Sequence, residues 1–325
     1  MNILIIGLGS MGKRRLRLLQ NHFPEIILYG LDKNEERRNY CEKEYHITTF
    51  STIEEAAEKV KINAAFICTA PLAHHIIITQ CLNHGMHIFS ELNLVKDGYE
   101  ENIALAKEKN LKLFLSSTAL YRKEMQFVIN EVKQSKEIQC YNYHVGQYLP
   151  EWHPWEDYNS FFVGDKRTNG CREILAIEMP WIIEAFGKVI SVHVIKQKLT
   201  DLKIDYPDCY LIQLLHENKT MGSLVVDVVS REAVRKLEVF SENGYLEWQG
   251  KPDTLRVKNI DTKQMEVVQL YQQIDKLEDY SSTIIENMYL DEIIAFFNEL
   301  HGEESSRYSF EKDFYTLEII DKIEE

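Results

Sequence analysis

The chain has 325 residues, of which 37 are Lys or Arg and 51 are Asp or Glu, so its formal net charge is -14. No basic cluster is long enough to follow a phosphate backbone, which argues against nucleic acid as a partner. The longest apolar runs fall far short of the roughly 20 residues that span a membrane, and no signal-peptide pattern is present, so we expect a cytoplasmic protein with room for two domains.

The cysteines predict neither a disulfide framework nor a metal site. Six of them are spread along the chain, and none forms a Cys-x-x-Cys pair. This spacing is typical of free thiols. Cys81, His84 and His87 are close in sequence, but they fall where a helix should end and a strand begin, so we expect no bound metal.

The first 118 residues alternate between short apolar runs and amphipathic segments. The apolar runs predict strands over residues 2–6, 26–31, 64–68, 87–90 and 112–116. The amphipathic segments predict helices over residues 13–20, 34–44, 53–60, 71–83 and 98–109. Strands and helices that alternate in this way indicate an α/β, doubly wound parallel sheet with helices on both faces.

The pattern changes after residue 118. Strands are predicted over residues 139–144, 191–198, 209–216, 222–229 and 235–241, and they follow one another with only turns between them. Such an order is typical of an antiparallel sheet. Helical periodicity predicts helices over residues 173–186, 281–300 and 310–323. We therefore predict two domains, one over residues 1–118 and an α+β domain over residues 119–325.

A glycine motif follows the first predicted strand. Gly7-Leu8-Gly9-Ser10-Met11-Gly12 reads Gly-x-Gly-x-x-Gly at a strand-to-helix turn. In a dinucleotide-binding fold, the first glycine makes the turn, the second admits the pyrophosphate and the third lets the helix pack on the sheet. The helix N-terminus supplies backbone N–H groups and a positive dipole end to the phosphates. The motif predicts a Rossmann domain that binds NAD(P) over residues 1–118.

The end of the second strand bears on the choice of cofactor. Asp32 lies 20 residues after Gly12, where a carboxylate can accept hydrogen bonds from the adenosine ribose. Because the same carboxylate would repel a 2′-phosphate, NAD is favoured over NADP. The neighbouring cations Lys33 and Arg37 leave a phosphate clamp open as the alternative.

Two further segments complete a family resemblance. Cys68-Thr69-Ala70-Pro71-Leu72-Ala73-His74 closes a predicted strand, and Gly85 to Asn93 contains the next strand and ends in Glu91-Leu92-Asn93. With the glycine motif, and with Met288 to Phe297 near the C-terminus, these segments resemble the Gfo/Idh/MocA oxidoreductases. The resemblance implies that Thr69, Pro71, His74 and Glu91 line the nicotinamide half of the cofactor site. It also implies that an open, mostly antiparallel sheet in the second domain forms homodimers or homotetramers.

The sequence departs from that family at two positions. The family's Glu-Lys-Pro motif reads Glu91-Leu92-Asn93, so the lysine is absent. In Gly170 to Trp181, the resemblance places Glu173 at a family Asp position and Ile177 at the position of a catalytic His. Oxidation of an alcohol by NAD needs a group that takes the hydroxyl proton, and neither Leu92 nor Ile177 can do so.

Three explanations for these departures stay open. Another residue can have taken over the proton, and the candidates are Glu173, Glu178 and His153. The protein can instead bind cofactor and sugar without turnover, as a sensor, or it can serve as the partner of an active homologue. Redox-neutral chemistry on the sugar with retained NAD is a further possibility.

Candidate substrate-binding residues lie in the second domain. The segment Tyr141 to Tyr158 interleaves aromatic and polar residues, including Trp152 and Trp155, a composition that suits a sugar-binding cleft and equally suits an ordinary core. Arg122 and Arg172 could each pair with a substrate phosphate or carboxylate. We predict an NAD-dependent oxidoreductase that acts on a hydroxyl of a sugar or nucleotide-linked sugar, with a non-catalytic cofactor- and sugar-binding protein as the alternative.

Overall fold

The structure is a computed structural model that describes residues 1–152, 157–276 and 283–325. Contacts between residues divide the chain into two compact units. The first unit comprises Met1–Ser117 and Tyr289–Phe314, and the second comprises Thr118–Met288 and Tyr315–Glu325. A segment near the C-terminus thus returns to the first unit, which the linear division into residues 1–118 and 119–325 did not anticipate.

The first unit contains a six-stranded parallel sheet with strand order β3-β2-β1-β4-β5-β6. Its strands are β1 Asn2–Ile6, β2 Ile27–Leu31, β3 Thr48–Phe50, β4 Ala64–Ile67, β5 His87–Ser90 and β6 Leu113–Leu115. The helices that follow them are α1 Ser10–His22, α2 Glu35–Tyr45, α3 Ile53–Lys59, α4 His74–Asn83 and α5 Tyr99–Glu108. This strand order is that of a doubly wound Rossmann sheet, as predicted.

Burial explains why these segments form a parallel sheet. All four residues of β4 are buried, as are the last four of β1, because helices cover both faces of the sheet. Phe66 and Phe89 stack on neighbouring strands with ring centroids 4.4 Å apart. Such apolar pairs in the sheet centre fix the strand order, and the carboxyl ends of β1 and β4 lie side by side as a result.

The second unit contains an eight-stranded sheet with strand order β14-β13-β12-β11-β7-β10-β9-β8. Its strands are β7 Cys140–Gly146, β8 Val189–Gln197, β9 Cys209–His216, β10 Met221–Asp227, β11 Val234–Phe240, β12 Tyr245–Trp248, β13 Arg256–Lys258 and β14 Met265–Val267. The pairing is antiparallel except between β7 and β10, which run parallel. The mostly antiparallel sheet predicted for the C-terminal half is confirmed.

Five further α-helices are present among the described residues. They are α6 Thr118–Tyr121, α7 Lys123–Gln134, α8 Gly170–Phe186, α9 Asn287–His301 and α10 Phe310–Glu324. Helix α8 packs against one face of the eight-stranded sheet, where Phe186 stacks on Tyr141 with centroids 4.2 Å apart. Alternate residues of β9 are buried and exposed, so the opposite face of the sheet is open.

Candidate functional site

The three motif glycines occupy different environments at the end of β1. Gly7 has a φ of 93°, and a Cβ there would lie 2.6 Å from the Cys68 carbonyl oxygen. A Cβ on Gly12 would lie 1.9 Å from the Gly7 carbonyl oxygen, so close packing of α1 requires glycine. A Cβ on Gly9 would instead meet nothing nearer than Arg37 Nη1 at 3.8 Å. Gly9 therefore leaves open the space that a pyrophosphate needs in this fold.

Helix α1 begins at the glycine motif without a side-chain cap. Its N-cap residue is Gly9, which offers no side-chain acceptor. The next two helices of the unit are capped in the usual way, since Asn34 accepts from the backbone N–H of Arg37 and Thr52 from that of Glu55. The first turn of α1, which contains Ser10 and Met11, therefore presents backbone N–H groups and a positive dipole end that fit a phosphate.

Asp32 lies directly after β2 and is anchored by backbone N–H groups. Its Oδ2 accepts from Leu8 N and its Oδ1 accepts from Asn34 N, both at 2.8 Å. Arg37 Nη1 lies 3.8 Å from Oδ2. Each carboxylate oxygen keeps a lone pair that a ribose hydroxyl could use. Lys33 and Arg37 are exposed beside it, so the same corner also offers cations.

The carboxyl ends of β4 and β6 carry buried polar atoms without partners. Thr69 Oγ1 and Ser117 Oγ make no hydrogen bond within the described residues. Next to Thr69, His74 Nε2 lies 2.9 Å from the Thr69 carbonyl oxygen, and Pro71 starts the short 3₁₀ turn that leads into α4. Because buried polar atoms are rarely left unsatisfied, this edge fits a polar ligand such as the carboxamide and ribose of a nicotinamide nucleotide.

Glu91 takes part in a buried ion network. Arg15 Nε lies 2.6 Å from Glu91 Oε1, and Arg15 Nη2 lies 2.7 Å from Glu292 Oε2. The other oxygen of Glu292 accepts from the Ser116 hydroxyl and the Ser117 N–H. The side chain of Arg15 is fully buried. Glu91 is thus committed to Arg15, and its place beside the cofactor edge stays a prediction.

Glu173 has the properties of a proton-transfer group. It lies in the first turn of α8, and its Oε2 atom is buried with no hydrogen-bond partner within the described residues. Burial raises the pKa of Glu173 to about 8. Ile177, one helical turn later, is half-buried like Glu173 and offers no titratable group.

Glu178 faces the interior of the second unit and is already bound. Its Oε2 accepts from the Tyr143 hydroxyl and from Trp181 Nε1, each at 2.7 Å, while Arg235 Nη2 lies 2.7 Å from Oε1. The side chain of Glu178 is only 3% exposed. This geometry supports a structural role and disfavours the predicted role in catalysis. His153, the third acid/base candidate, lies outside the described residues.

The two arginines predicted to bind substrate are buried among other partners. Arg122 contacts the Glu124 carboxylate, donates to the carbonyl oxygens of Thr283 and Gly250, and lies over Trp248. Arg172 forms ion pairs with Asp321 and Glu324 near the end of α10. Both guanidinium groups therefore stabilise the second unit and have little capacity left for a substrate anion.

The aromatic segment separates into core and loop residues. Tyr141 and Tyr143 are buried on the face of the sheet that α8 covers. Trp152 is half-buried and donates from Nε1 to the Gln147 carbonyl oxygen at 2.9 Å. Trp155 lies outside the described residues. Much of the predicted sugar-binding segment is thus ordinary core, and Trp152 is the tryptophan of that segment whose position is described.

Sequence reasoning missed several residues of this site. Arg15, Glu292 and Ser117 were not singled out, because their partners are far away along the chain. One signal was available: Arg15 lies next to Leu16 on the buried side of α1, and a buried arginine needs a carboxylate partner. Among the described residues, no group of three or more His, Cys, Asp or Glu is placed to hold a metal, and no helix is long and apolar enough to cross a membrane.

Comparison with known proteins identifies the class. Residues 1–117 match the sequence model of the Gfo/Idh/MocA group, described as "Oxidoreductase family, NAD-binding Rossmann fold". The match covers the N-terminal domain, and over that domain it confirms the family resemblance predicted from the sequence. Biliverdin reductase A of Homo sapiens is 27% identical over 132 residues, which span 40% of this chain and 44% of that protein. The chain thus covers less than half the length of this relative.

Solved structures share the fold over the whole chain. The WlbA dehydrogenase from Bordetella pertussis, in complex with NADH and UDP-GlcNAcA, is 15% identical, with a TM-score of 0.78 over 99% of this chain and 94% of that one. Biliverdin reductase from Synechocystis, in complex with biliverdin and NADP+, is 16% identical, with a TM-score of 0.75 over 99% of this chain and 97% of that one. At these identities the likeness shows the common fold.

Proposed function

We propose that this protein is an NAD(P)-dependent oxidoreductase that acts on a hydroxyl of a sugar or nucleotide-linked sugar, with Glu173 as the residue that transfers the hydroxyl proton. The observation that carries the proposal is the Oε2 atom of Glu173, which is buried and has no hydrogen-bond partner among the residues that the structure describes. Within the second unit this carboxyl group is free to bind a substrate hydroxyl, whereas Glu178 is not. The WlbA dehydrogenase, crystallised with a nucleotide sugar, supports the substrate class.

The chemistry divides between cofactor and protein. When bound, the nicotinamide ring accepts or supplies a hydride at the carbon that carries the hydroxyl. In the oxidation direction, ionised Glu173 would accept the hydroxyl proton as the C–O bond becomes a carbonyl, and in reduction it would return that proton. Its pKa of about 8 lies close to neutral pH, where a group can serve in both directions.

NAD is the proposed cofactor, and Asp32 is the residue on which the choice depends. A carboxylate anchored by Leu8 and Asn34 is held in place to accept ribose hydroxyls. Arg37 supports the alternative, because its exposed guanidinium lies beside both Gly9 and Asp32 and could pair with a 2′-phosphate. The relatives crystallised with NADH and with NADP+ leave both cofactors open as proposals.

A two-stage experiment tests the proposal. Titration of the purified protein with NADH and with NADPH, followed by nicotinamide fluorescence, should give saturable binding that is tighter for NADH. Turnover is then measured with free sugars, UDP-sugars and biliverdin as separate arms. Glu173→Gln should lower turnover of the active sugar substrate by about 100-fold or more. Glu184→Gln, on the same helix and paired at the surface with Lys133, is the matched control and should retain activity.

A non-catalytic cofactor- and sugar-binding protein is the second candidate. It is favoured by Leu92 and Ile177, which replace the two family positions that handle protons. Such a protein would bind NADH and a sugar together, yet no substrate would change the nicotinamide absorbance or the sugar itself. Activity with biliverdin alone would instead overturn the sugar assignment while retaining the oxidoreductase class.

We also propose that the open face of the eight-stranded sheet mediates self-association. Ile195, Leu211 and Val225 are paired across β8, β9 and β10 on that face, and Ile195 and Leu211 are largely exposed. Exposed apolar rows of this kind are typical of protein interfaces. Leu211→Glu should convert an oligomer to monomers in light-scattering measurements, and an unchanged mass would refute this interface. A cytoplasmic location stays a prediction.

A further inference from the structure

The last turn of helix α10 is hydrogen-bonded to the start of helix α8 within the second unit. Asn169 Nδ2 donates to Glu324 Oε1 at 2.6 Å, and Arg172 Nη1 donates to the other carboxylate oxygen of Glu324. Arg172 Nη2 donates to Asp321 Oδ1 at 2.7 Å. The two donor residues are buried, with 2% of Asn169 and 6% of Arg172 exposed. We call these four residues the α8 clamp.

Asn169 connects the α8 clamp to the backbone of α8. It is the N-cap residue of this helix, and its Oδ1 atom accepts from Arg172 N at 2.8 Å. Its carbonyl oxygen accepts from Glu173 N at 2.9 Å. Its Nδ2 atom donates to the Lys166 carbonyl oxygen as well as to Glu324. Because both of these partners require a donor, they fix the amide orientation in which Oδ1 faces the helix.

The third residue of α8 differs from the usual capping pattern. In a capping box, a Glu or Gln at this position accepts from the backbone N–H of the N-cap residue. Arg172 occupies the position here and has only donors, so its side chain binds α10 instead. Lys196 on β8 donates to the Glu324 carbonyl oxygen, which ties the end of α10 to the sheet. Glu324 thus connects the first turn of α8 to the eight-stranded sheet.

We propose that Glu324, acting through Asn169, is a positioning residue for Glu173. This inference rests on the proposed function, in which Glu173 transfers the hydroxyl proton. Glu173 lies in the first turn of α8, and the end of a helix frays when its cap is weakened. Proton transfer requires that the two atoms lie within hydrogen-bond reach. A displacement of about 1 Å in this turn would therefore slow the reaction while substrate still binds.

The first test compares Glu324→Ala with Glu325→Ala. Glu325 is the next residue and is exposed, so it provides the matched control. With the sugar that the wild type turns over, Glu324→Ala should lower kcat by about five- to tenfold and change KM by less than about twofold, while the control keeps both constants. In the Glu173→Gln background, Glu324→Ala should not lower the residual kcat further. An equal decrease there would show that Glu324 acts independently of Glu173 and would overturn the proposal.

An exchange of donor and acceptor separates the α8 clamp from the helix cap. Asn169→Asp keeps a side-chain acceptor for α8 but puts a carboxylate oxygen opposite Glu324, so kcat should decrease as in Glu324→Ala. Adding Glu324→Gln supplies an amide donor to that oxygen and should recover about half of the loss. Recovery is partial because the Lys166 carbonyl oxygen loses its donor in both variants. No recovery overturns the proposal. If Glu324→Ala does not fold, Asn169→Asp replaces it in every measurement.

The titration of Glu173 gives a readout that needs no turnover. Nuclear magnetic resonance of the full chain with carbon-13-labelled glutamate follows the Glu173 signal, which is assigned by its loss in Glu173→Gln. Burial raises the Glu173 pKa to about 8, so a loosened turn that admits water should lower it by about one unit in Glu324→Ala. Glu178→Gln, which weakens the same helix elsewhere, should leave it nearly unchanged. An unchanged pKa in Glu324→Ala overturns the positioning role, whereas a lowered pKa in a protein without sugar turnover counts against the proposed function alone.

Discussion

Arg235 places its Nη2 atom 2.7 Å from Oε1 of Glu178, between β11 and helix α8 of the second unit. The other carboxylate oxygen accepts from Tyr143 and Trp181. These three partners engage both carboxylate oxygens and hold the Glu178 side chain in place. Two acids on one helix therefore differ: Glu178 holds the helix on the sheet, whereas Glu173 has one oxygen with no hydrogen-bond partner in the described part of the chain.

Glu178→Gln should therefore reduce stability and leave proton transfer intact. The substitution replaces one acceptor oxygen with an amide donor that would face Tyr143 and Trp181 or Arg235, so we expect a loss of about 1–3 kcal/mol in the free energy of unfolding. Urea denaturation measures this loss, with Glu184→Gln as the control on the surface of the same helix. A variant of unchanged stability that had lost its turnover would contradict the structural assignment.

The contribution of Glu173 to the free energy of unfolding should decrease as pH rises from about 4.5 to about 8. Burial raises its pKa from 4.5 to about 8, so in this interval the folded chain keeps a proton that the unfolded chain releases. The contribution of Glu173 is fully present below the lower value and is lost as pH rises through the higher one. Urea denaturation across this range should show a weaker pH dependence in Glu173→Gln than in the wild type. Equal slopes in the two proteins would refute the raised pKa.

The same group should set the pH profile of catalysis. In the oxidation direction, kcat/KM should increase with pH to a plateau, with an inflection near the Glu173 pKa of about 8, because only the ionised carboxylate accepts the hydroxyl proton. In Glu173→Gln the residual rate should lose this inflection. An inflection retained in the variant would assign the proton to another residue.

Substitution by alanine should affect protein stability at Gly12 and NADH affinity at Gly9. The Cβ of Gly12→Ala would lie 1.9 Å from the Gly7 carbonyl oxygen, so this variant should be strongly destabilised. Gly9 has a φ of -76° and open space around its Cβ position, so Gly9→Ala should unfold at the wild-type temperature. It should nevertheless bind NADH at least about tenfold more weakly, because the methyl group occupies the path of the pyrophosphate. Unchanged NADH affinity in Gly9→Ala would place the phosphates elsewhere.

Asp32 should favour the binding of NADH, and Arg37 should favour the binding of NADPH. Asp32→Asn removes the charge and replaces one of the two oxygens that accept from Leu8 and Asn34 with an amide donor, so NADH affinity should decrease by about tenfold while NADPH affinity increases. Arg37→Gln should weaken NADPH binding and leave NADH binding nearly unchanged, since a guanidinium beside the ribose interacts chiefly with a 2′-phosphate. Fluorescence titrations measure all four constants. If Arg37→Gln weakened both cofactors equally, Arg37 would have no role in the choice between them.

The sequence predicted correctly those elements that are specified by residues adjacent in the chain. The run from β1 through Gly7 into α1 is specified by adjacent residues, and the predicted strand Asn2–Ile6 is confirmed at both ends. Helix α7 was missed although its signal was present: Met125, Val128, Ile129 and Val132 are buried at helical spacing. The short strands β12, β13 and β14 have three or four residues each, too few to show an alternation.

Features that depend on distant pairing could not be read from the sequence. The parallel pairing of β7 with β10 joins segments about 80 residues apart, and no local pattern distinguishes it from an antiparallel pair. The same limit applies to the site. Arg122 and Arg172 were predicted to bind substrate, but they bond to Thr283 and Asp321, which lie 161 and 149 residues away along the chain.

Arg15→Met should be among the most damaging single substitutions in the first unit. The change removes the cation that is shared by Glu91 and Glu292 and leaves two buried carboxylates close together, so we expect a loss of about 3–5 kcal/mol in the free energy of unfolding. Lys13→Met is the matched control, because Lys13 lies on the same helix and its ammonium group lies over the Tyr40 ring in a cation–π interaction at 5.0 Å. We expect the control to lose less than about 1 kcal/mol.

Neutralising the two carboxylates should rescue part of that loss. The triple variant Arg15→Met, Glu91→Gln, Glu292→Gln has no buried charge in the network, so it should be more stable than Arg15→Met alone. Urea denaturation of the wild type, the single variant and the triple variant measures the coupling. If the triple variant were instead as unstable as the sum of its separate losses, packing of the Arg15 side chain between Phe89 and Tyr289 would be the dominant contribution, and the ion network would be secondary.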